Sequence, residues 1–243
     1  MFLWRSTAPG PVRAFTDRDG GASRAPYAGL NLGAHVGDAV EDVTTNRRLL
    51  EDEIGLPTVW SDQVHGTDVL HVTREVLDGP RTATGALGTA DAMVTALPGV
   101  ALGVLVADCT PVLLHDDQAG LVGVAHAGRL GMTHGIVPAV VSALRDLGAR
   151  DLQATVGPSV CGRCYEVPPQ LRDEAAEVAP TSAAMTWQGT PAIDVAAGVV
   201  EQLTTLEVPI EWVPGCARED ESLFSHRRDG TTGRFAGVIG RPS

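Results

Sequence analysis

The sequence predicts an α+β fold built on a mixed sheet, and three observations carry that expectation. Short apolar runs of strand length crowd the middle of the chain. Helical periodicities punctuate these runs without the strict strand–helix alternation of a doubly wound sheet. The 28 glycines and 16 prolines are scattered at turn-like positions, which suits many short elements joined by tight turns. At 243 residues the chain can bury a sizeable core, as one large domain spanning 1–243 or as two closely packed halves.

Taken in order, VEDVTTNRRLLEDEIG (40–55) spaces Val43, Leu49, Leu50 and Ile54 as a helix does and stops on Gly55. TVWSDQVHGTDVLHVT (58–73) reads as two strands joined around His65-Gly66, and the Gly/Thr-rich stretch 74–90 as a loop. Residues 90–99 and 100–108 read as successive strands, the second buried on both faces because VALGVLVAD is almost continuously apolar. PVLLH and LVGVAH follow as a hairpin about DDQAG, 116–120. A helix is expected over 135–149, with Pro138 tolerable in its first turn. LQATVGPSV gives a strand and a turn, 169–179 and 193–208 give helices, and IEWVP and RFAGVIG give late strands.

Composition removes several functions. A net charge of −12 argues against nucleic acid or an anionic membrane surface as partner, since both need a positive field. All 18 basic residues are arginine, so a lysine Schiff base and a P-loop lysine are out. No window approaches the roughly 18 apolar residues of a membrane span. Four cysteines without an export signal point to reduced thiols, and the expectation is a soluble cytoplasmic protein.

One constellation carries chemistry. With DDQAG as the turn, its midpoint is residue 118 and His126 lies opposite Thr110, one step from Cys109. Opposed residues of an antiparallel pair hold their Cβ atoms about 5 Å apart, so Cys109 and His126 can reach one metal ion. His65, at a strand–turn junction before a glycine, is the candidate third ligand. One thiolate and two imidazoles suit Zn²⁺ or copper, and three protein ligands leave an open position, as at a catalytic site. The plainer alternatives are a buried cysteine acting as a small hydrophobe and a histidine in a loop. Cys161-Gly162-Arg163-Cys164 is a CxxC with no second pair to complete a zinc ribbon; it reads as a turn with inert thiols or as a redox or metal pair, and Cys216 adds little.

The motifs QVHG (63–66), TADAMVT (89–95), ADCTPVLL (107–114), AHAG (125–128) and VGPSVCGRCYEV (156–167) resemble the bacterial YfiH type of the laccase-domain family. Its members were once called multicopper polyphenol oxidases and are now associated with purine nucleoside phosphorylase activity. The segments 17–38 and 223–240 are similar to the same family, so the resemblance spans nearly the whole chain in order. It implies a sandwich of mixed β-sheets flanked by helices, related to cysteine hydrolases, and a metal held by His65, Cys109 and His126. Zinc is the expected ion, with copper an alternative at the same site. The implied reaction is phosphorolysis of adenosine, inosine and methylthioadenosine, with secondary adenosine deamination, by a monomer. One departure stands out: the family commonly has Trp-Arg after His-Ala-Gly, where this chain has Arg129-Leu130.

The chemistry assigns further residues. The seven histidines include no His-X-His pair, so a four-copper laccase site is not expected, and weak polyphenol oxidation by copper at the Cys/His centre stays as an alternative. Deamination calls for a carboxylate near the metal to shuttle protons, and Asp108 beside Cys109 is the first candidate. Phosphorolysis needs bidentate cationic donors, and Arg47, Arg129 and Arg227 are the candidates. Asn31 and His35, polar residues in the Gly-rich segment LNLGAHVGD, are assigned to substrate contact. Two other readings use the same residues: a cysteine hydrolase or amidase with Cys109 as nucleophile and His126 as base, in keeping with family links to peptidoglycan precursor editing, and a non-catalytic metal staple.

Overall fold

The computed structural model describes residues 1–243 and is a four-layer arrangement of helix, sheet, sheet and helix. The first sheet is ordered β1 (Phe2–Arg5), β2 (Val12–Thr16), β13 (Phe235–Arg241), β6 (Val100–Val106), β3 (Thr58–Trp60). The second is ordered β12 (Ile210–Trp212), β9 (Gln153–Val156), β7 (Thr110–Asp116), β8 (Leu121–Ala127), β5 (Ala92–Thr95), β4 (Val69–His71). Both sheets are mixed, and a ribbon of β10 (Ala183–Met185) and β11 (Pro191–Ile193) stands apart. The expected α+β sandwich is therefore found.

Why the central strands read as unbroken apolar runs follows from this layering. Alternate side chains of β6 point to opposite faces, and both faces are covered. Leu102 and Val104 meet Met93, Leu113, Val122 and Val124 of the other sheet, around the ring of Phe15. Ala101 and Leu105 turn the other way, against Leu50 and Ile54 of helix α1 (Val40–Ile54). The outer face of the second sheet, through Val94, Val112, Leu114 and Ala125, packs on α4 (Ile136–Asp146) and α6 (Val195–Thr205). No helix is long and apolar enough to cross a membrane.

Several sequence expectations need correction. The two strands read in 58–73 lie in different sheets, as do those read in 90–108, so each connection crosses between sheets. The loop expected over 74–90 opens with a short helix, α2 (Arg74–Asp78), because the Thr73 side chain caps it by accepting from the Val76 N–H at 3.3 Å. The helix expected from 193 starts at Val195, since Asp194 accepts from the Ala197 N–H at 2.9 Å and the preceding residues pair as β11.

The hairpin register is also shifted: Asp116 pairs with Leu121, and His126 lies opposite Pro111 rather than Thr110. Asp116 stays in the strand because its buried carboxylate is held from three sides. It accepts from Ala119 at 2.8 Å, Arg150 at 2.6 Å and Asp151 at 2.8 Å, all backbone N–H groups. Burial opposes the charge, but these donors hold the carboxyl below its ordinary value. Its contribution to stability is thus full above about pH 4 and is lost as pH falls through the depressed folded value. Asp116→Asn is expected to lower stability at pH 7 by about 1–3 kcal/mol. Urea unfolding at a series of pH values should show the gap to wild type closing in acid; a gap independent of pH would reject the role.

Candidate metal centre and cavity

Two short segments and one strand end converge where the sheets part. Val122, Val124 and His126 share the face of β8 turned toward the other sheet, and His126 is its last member. Cys109 lies just before β7, on the turn leaving β6. Asp108, at φ +97°, makes that turn: its carboxylate accepts from the Ser225 hydroxyl and the Arg227 N–H, each at 2.6 Å. His65 sits on the crossing loop between β3 and β4 with a left-handed φ of +61°.

What holds His65 there is Asp91, fully buried at the start of β5. Its carboxylate accepts from the backbone N–H groups of Val64 (3.0 Å), His65 (3.0 Å) and Gly66 (2.7 Å). It also takes Nδ1 of His126 at 2.8 Å. Burial works against ionising Asp91, but His126 and the loop N–H groups hold it below the ordinary carboxylate value. With Nδ1 of His126 engaged, Nε2 is left for a metal, the arrangement by which an outer carboxylate orients a histidine ligand.

Ligand atoms of His65, Cys109 and His126 lie within 4.8 Å of one another, and Nε2 of His65 is 3.7 Å from Sγ of Cys109. Two ligands of one tetrahedral zinc, at bond lengths of about 2.0–2.3 Å, are about 3.5 Å apart, so the donor set and spacing fit the ion. Gly128 completes the cradle, since a Cβ there would come within 2.7 Å of the His65 ring and 3.1 Å of the Cys109 sulfur. Burial opposes ionisation of Cys109, yet neighbouring His126 brings its thiol down to about 6. Burial likewise opposes charge on His126, but Cys109 and Asp91 raise it to about 9.

The centre faces a cavity of about 360 Å³, the scale of a small-molecule site. Of the residues singled out in the sequence, His35, Asp108, Arg129 and Arg227 also line it. The Arg129 guanidinium has no hydrogen-bond or ion-pair partner in the protein. Arg227 lies over the ring of Tyr165, 4.9 Å from its centroid. At the rim, partial burial and the charges of Arg234 and Arg47 hold His35 below its ordinary value despite Asp62.

Other residues are placed differently. Asn31 is fully buried and does not line the cavity. Its Oδ1 accepts from the N–H groups of Gly33 (3.0 Å) and Arg234 (2.8 Å), and its amide donates to Asp38 at 2.8 Å, so it shapes the backbone that carries Arg234. Arg47 lies in a smaller neighbouring cavity, over Trp60, with Nε donating to the Leu32 carbonyl; burial pushes it down to about 10.

Four participants were not anticipated: Asp91, Gln63, Arg234 and His226. Asp91 did carry a signal, because an aspartate heading an apolar strand is buried and must be paired. Gln63 exchanges two 2.8 Å hydrogen bonds with the backbone of Leu105, pinning the crossing loop to β6. Arg234 and His226 line the cavity but sit in a segment whose local pattern marks neither.

Residues 12–242 match the family described as multi-copper polyphenol oxidoreductase laccase. The chain is 50% identical to purine nucleoside phosphorylase ORF3 of Streptomyces griseus, over 98% of this chain and 99% of that one. It is 35% identical to purine nucleoside phosphorylase YlmD of Geobacillus stearothermophilus, over 96% and 90%. The crystal structure of that YlmD superposes with a TM-score of 0.87 at 33% identity, covering all of both chains. The structure of Bacillus licheniformis YfiH superposes at 0.86 with 30% identity, over 97% of each. By sequence along nearly its whole length and by fold, this chain belongs to the multi-copper polyphenol oxidoreductase laccase family, in its YfiH type.

Proposed function

We propose that this chain is a zinc-dependent purine nucleoside phosphorylase acting on adenosine, inosine and methylthioadenosine, with adenosine deamination as a secondary activity. The observation that carries the reading is a His65–Cys109–His126 centre opening onto a cavity lined by three arginines, Arg129, Arg227 and Arg234. The names of the curated relatives support it. When bound, the ion would supply Lewis acidity and lower the pKa of water; copper is the alternative occupant of the same donors.

The arginines do the work phosphorolysis demands of the protein. Arg129 offers an unpaired guanidinium to phosphate, and Arg227 and Arg234 add charge to the same lining. Phosphate held there can attack the anomeric carbon while the glycosidic bond breaks and its electron pair leaves with the purine nitrogen. Tyr165 backs the Arg227 guanidinium that lies over its ring, and His35, held below its ordinary value, can hydrogen-bond the nucleoside from the rim. Asp108, with both oxygens taken by Ser225 and Arg227, is suited to positioning Arg227 rather than to carrying protons. Arg129 stands where the family commonly has Trp, and Leu130, 38% exposed, where it has Arg, so the turn carries no ring and Arg129 is its recognition element. The reading includes a cytoplasmic monomer with no nucleic-acid or membrane partner, supported by the charge of −12 and four unpaired thiols.

Incubation with adenosine and phosphate is expected to yield adenine and ribose 1-phosphate. His126→Ala should abolish this while leaving the circular dichroism spectrum unchanged. Arg129→Gln should raise KM for phosphate about 10- to 100-fold, the worth of a charge-assisted contact. Wild type that makes no product from any purine nucleoside would end the proposal.

A cysteine hydrolase has one observation in its favour: the thiolate–imidazolium pair of Cys109 and His126, with Asp91 on Nδ1, has the order of a Cys-His-Asp triad. Metal-bound Cys109 should react slowly with iodoacetamide until a chelator is added; rapid alkylation of the holo-protein would favour the hydrolase.

A further inference from the structure

Cys216 lies 55 positions beyond Cys161 in the sequence, yet the fold sets their turns face to face. A parallel bridge joins Ser159 to Cys216, secured by the Ser159 N–H on the Gly215 carbonyl (3.3 Å) and the Ala217 N–H on the Ser159 carbonyl (3.0 Å). Beyond the bridge the two segments make the same turn. The Cys164 N–H donates to the Cys161 carbonyl at 2.9 Å, and the Glu219 N–H donates to the Cys216 carbonyl at 3.0 Å. Each turn thus presents its first and fourth residues together: two thiols from C-G-R-C, a thiol and a carboxylate from C-A-R-E.

The four ligand atoms of Cys161, Cys164, Cys216 and Glu219 lie within 4.8 Å of one another. Sγ of Cys164 is 3.3 Å from Oε1 of Glu219, and the Cys161 N–H points at Sγ of Cys216 from 3.5 Å. The first turn is built for close approach, since a Cβ on Gly162 would lie 2.7 Å from Cβ of Ala184 and 2.9 Å from Cβ of Asp194. None of the cysteines is in a disulfide. Ligands of a tetrahedral zinc at about 2.3 Å for sulfur and 2.0–2.2 Å for oxygen stand about 3.5–3.8 Å apart. Four donors at this spacing need only small rotations to enclose an ion.

We propose that Cys161, Cys164, Cys216 and Glu219 form a second zinc site, closed and structural, distinct from the His65–Cys109–His126 centre. Four protein ligands fill the tetrahedron, so this site stabilises the fold and leaves no position for substrate. Its consequence for the cavity is direct, because Tyr165 follows Cys164 in the chain and carries Arg227 against its ring. A zinc-closed turn would fix that wall. The sulfur-rich set favours zinc over magnesium or calcium, which take oxygen ligands.

Metal content of the full-length protein, purified from zinc-supplemented cells and desalted, tests this independently of the catalytic reading. Wild type should carry two zinc per chain, His126→Ala one, and Cys216→Ser one. Cobalt added to the metal-free His126→Ala protein should give a thiolate charge-transfer band that Cys216→Ser within the same background removes. Should Cys216→Ser fail to fold, Cys161→Ser serves in its place. The proposal is overturned if His126→Ala binds no zinc, if Cys216→Ser retains the wild-type content, or if an intact mass two daltons low shows two of these cysteines joined as a disulfide. One zinc in wild type and in His126→Ala, with none in Cys216→Ser, would sustain this site and reject the catalytic one.

Discussion

Asp91→Ala is expected to weaken the zinc binding proposed for the His65–Cys109–His126 centre by about 10- to 100-fold, although Asp91 would touch neither metal nor substrate. Four donors converge on this carboxylate: three successive loop N–H groups and the Nδ1 of His126. Truncation frees the imidazole to rotate and releases the loop that holds His65 in its left-handed conformation. It also leaves three half-exposed loop N–H groups without their acceptor, so stability should fall as well. Asp91→Asn separates the two effects. The amide keeps the shape but turns one acceptor into a donor, which disfavours the His126 tautomer with Nε2 free. Zinc competition titration beside urea unfolding should therefore show Asp91→Asn losing affinity out of proportion to stability. Affinity at the wild-type level would show that Asp91 only supports the loop.

The largest effect on stability is expected at Phe15. Its ring is fully buried between the sheets, 5.5 Å from the Trp4 ring, and fills space left by two glycines. A Cβ on Gly157 would stand 2.5 Å from it, and one on Gly237 3.1 Å. Neighbours that are already glycine and backbone cannot collapse far into the void, so Phe15→Ala should cost about 3–5 kcal/mol. Gly157→Ala should also destabilise, by about 1–3 kcal/mol, because the added methyl overlaps the ring. Urea midpoints measure both. A loss under 1 kcal/mol for Phe15→Ala would mean that the sheets close over the gap, and the interface would not be as tightly packed as described.

How much of this was legible in the chain depends on how far apart the partners lie. The helix ending at Gly55 and the strands of 100–127 follow from spacings of two to four residues, where periodicity and turn chemistry act. Even there the hairpin register slipped by one, because the donors that keep Asp116 in the strand come partly from Arg150 and Asp151. Cys109 and His126 could be paired by counting across one turn. His65 had only its glycine and strand junction to recommend it, and Asp91 was passed over because its four donors belong to other segments.

Sequence alone thus settled the α+β class, the apolar strands, the absence of lysine chemistry and, through motif resemblance, the family. Tertiary structure alone decided that the crossing loop brings His65 to Cys109, that Asp91 holds the histidines' frame, that Asn31 is enclosed, and that Cys216 meets the CxxC turn. Local elements arise from forces between near neighbours in the chain. A buried carboxylate or a cage of thiols is assembled only when apolar faces stack two sheets together and carry distant polar groups into the same desolvated space.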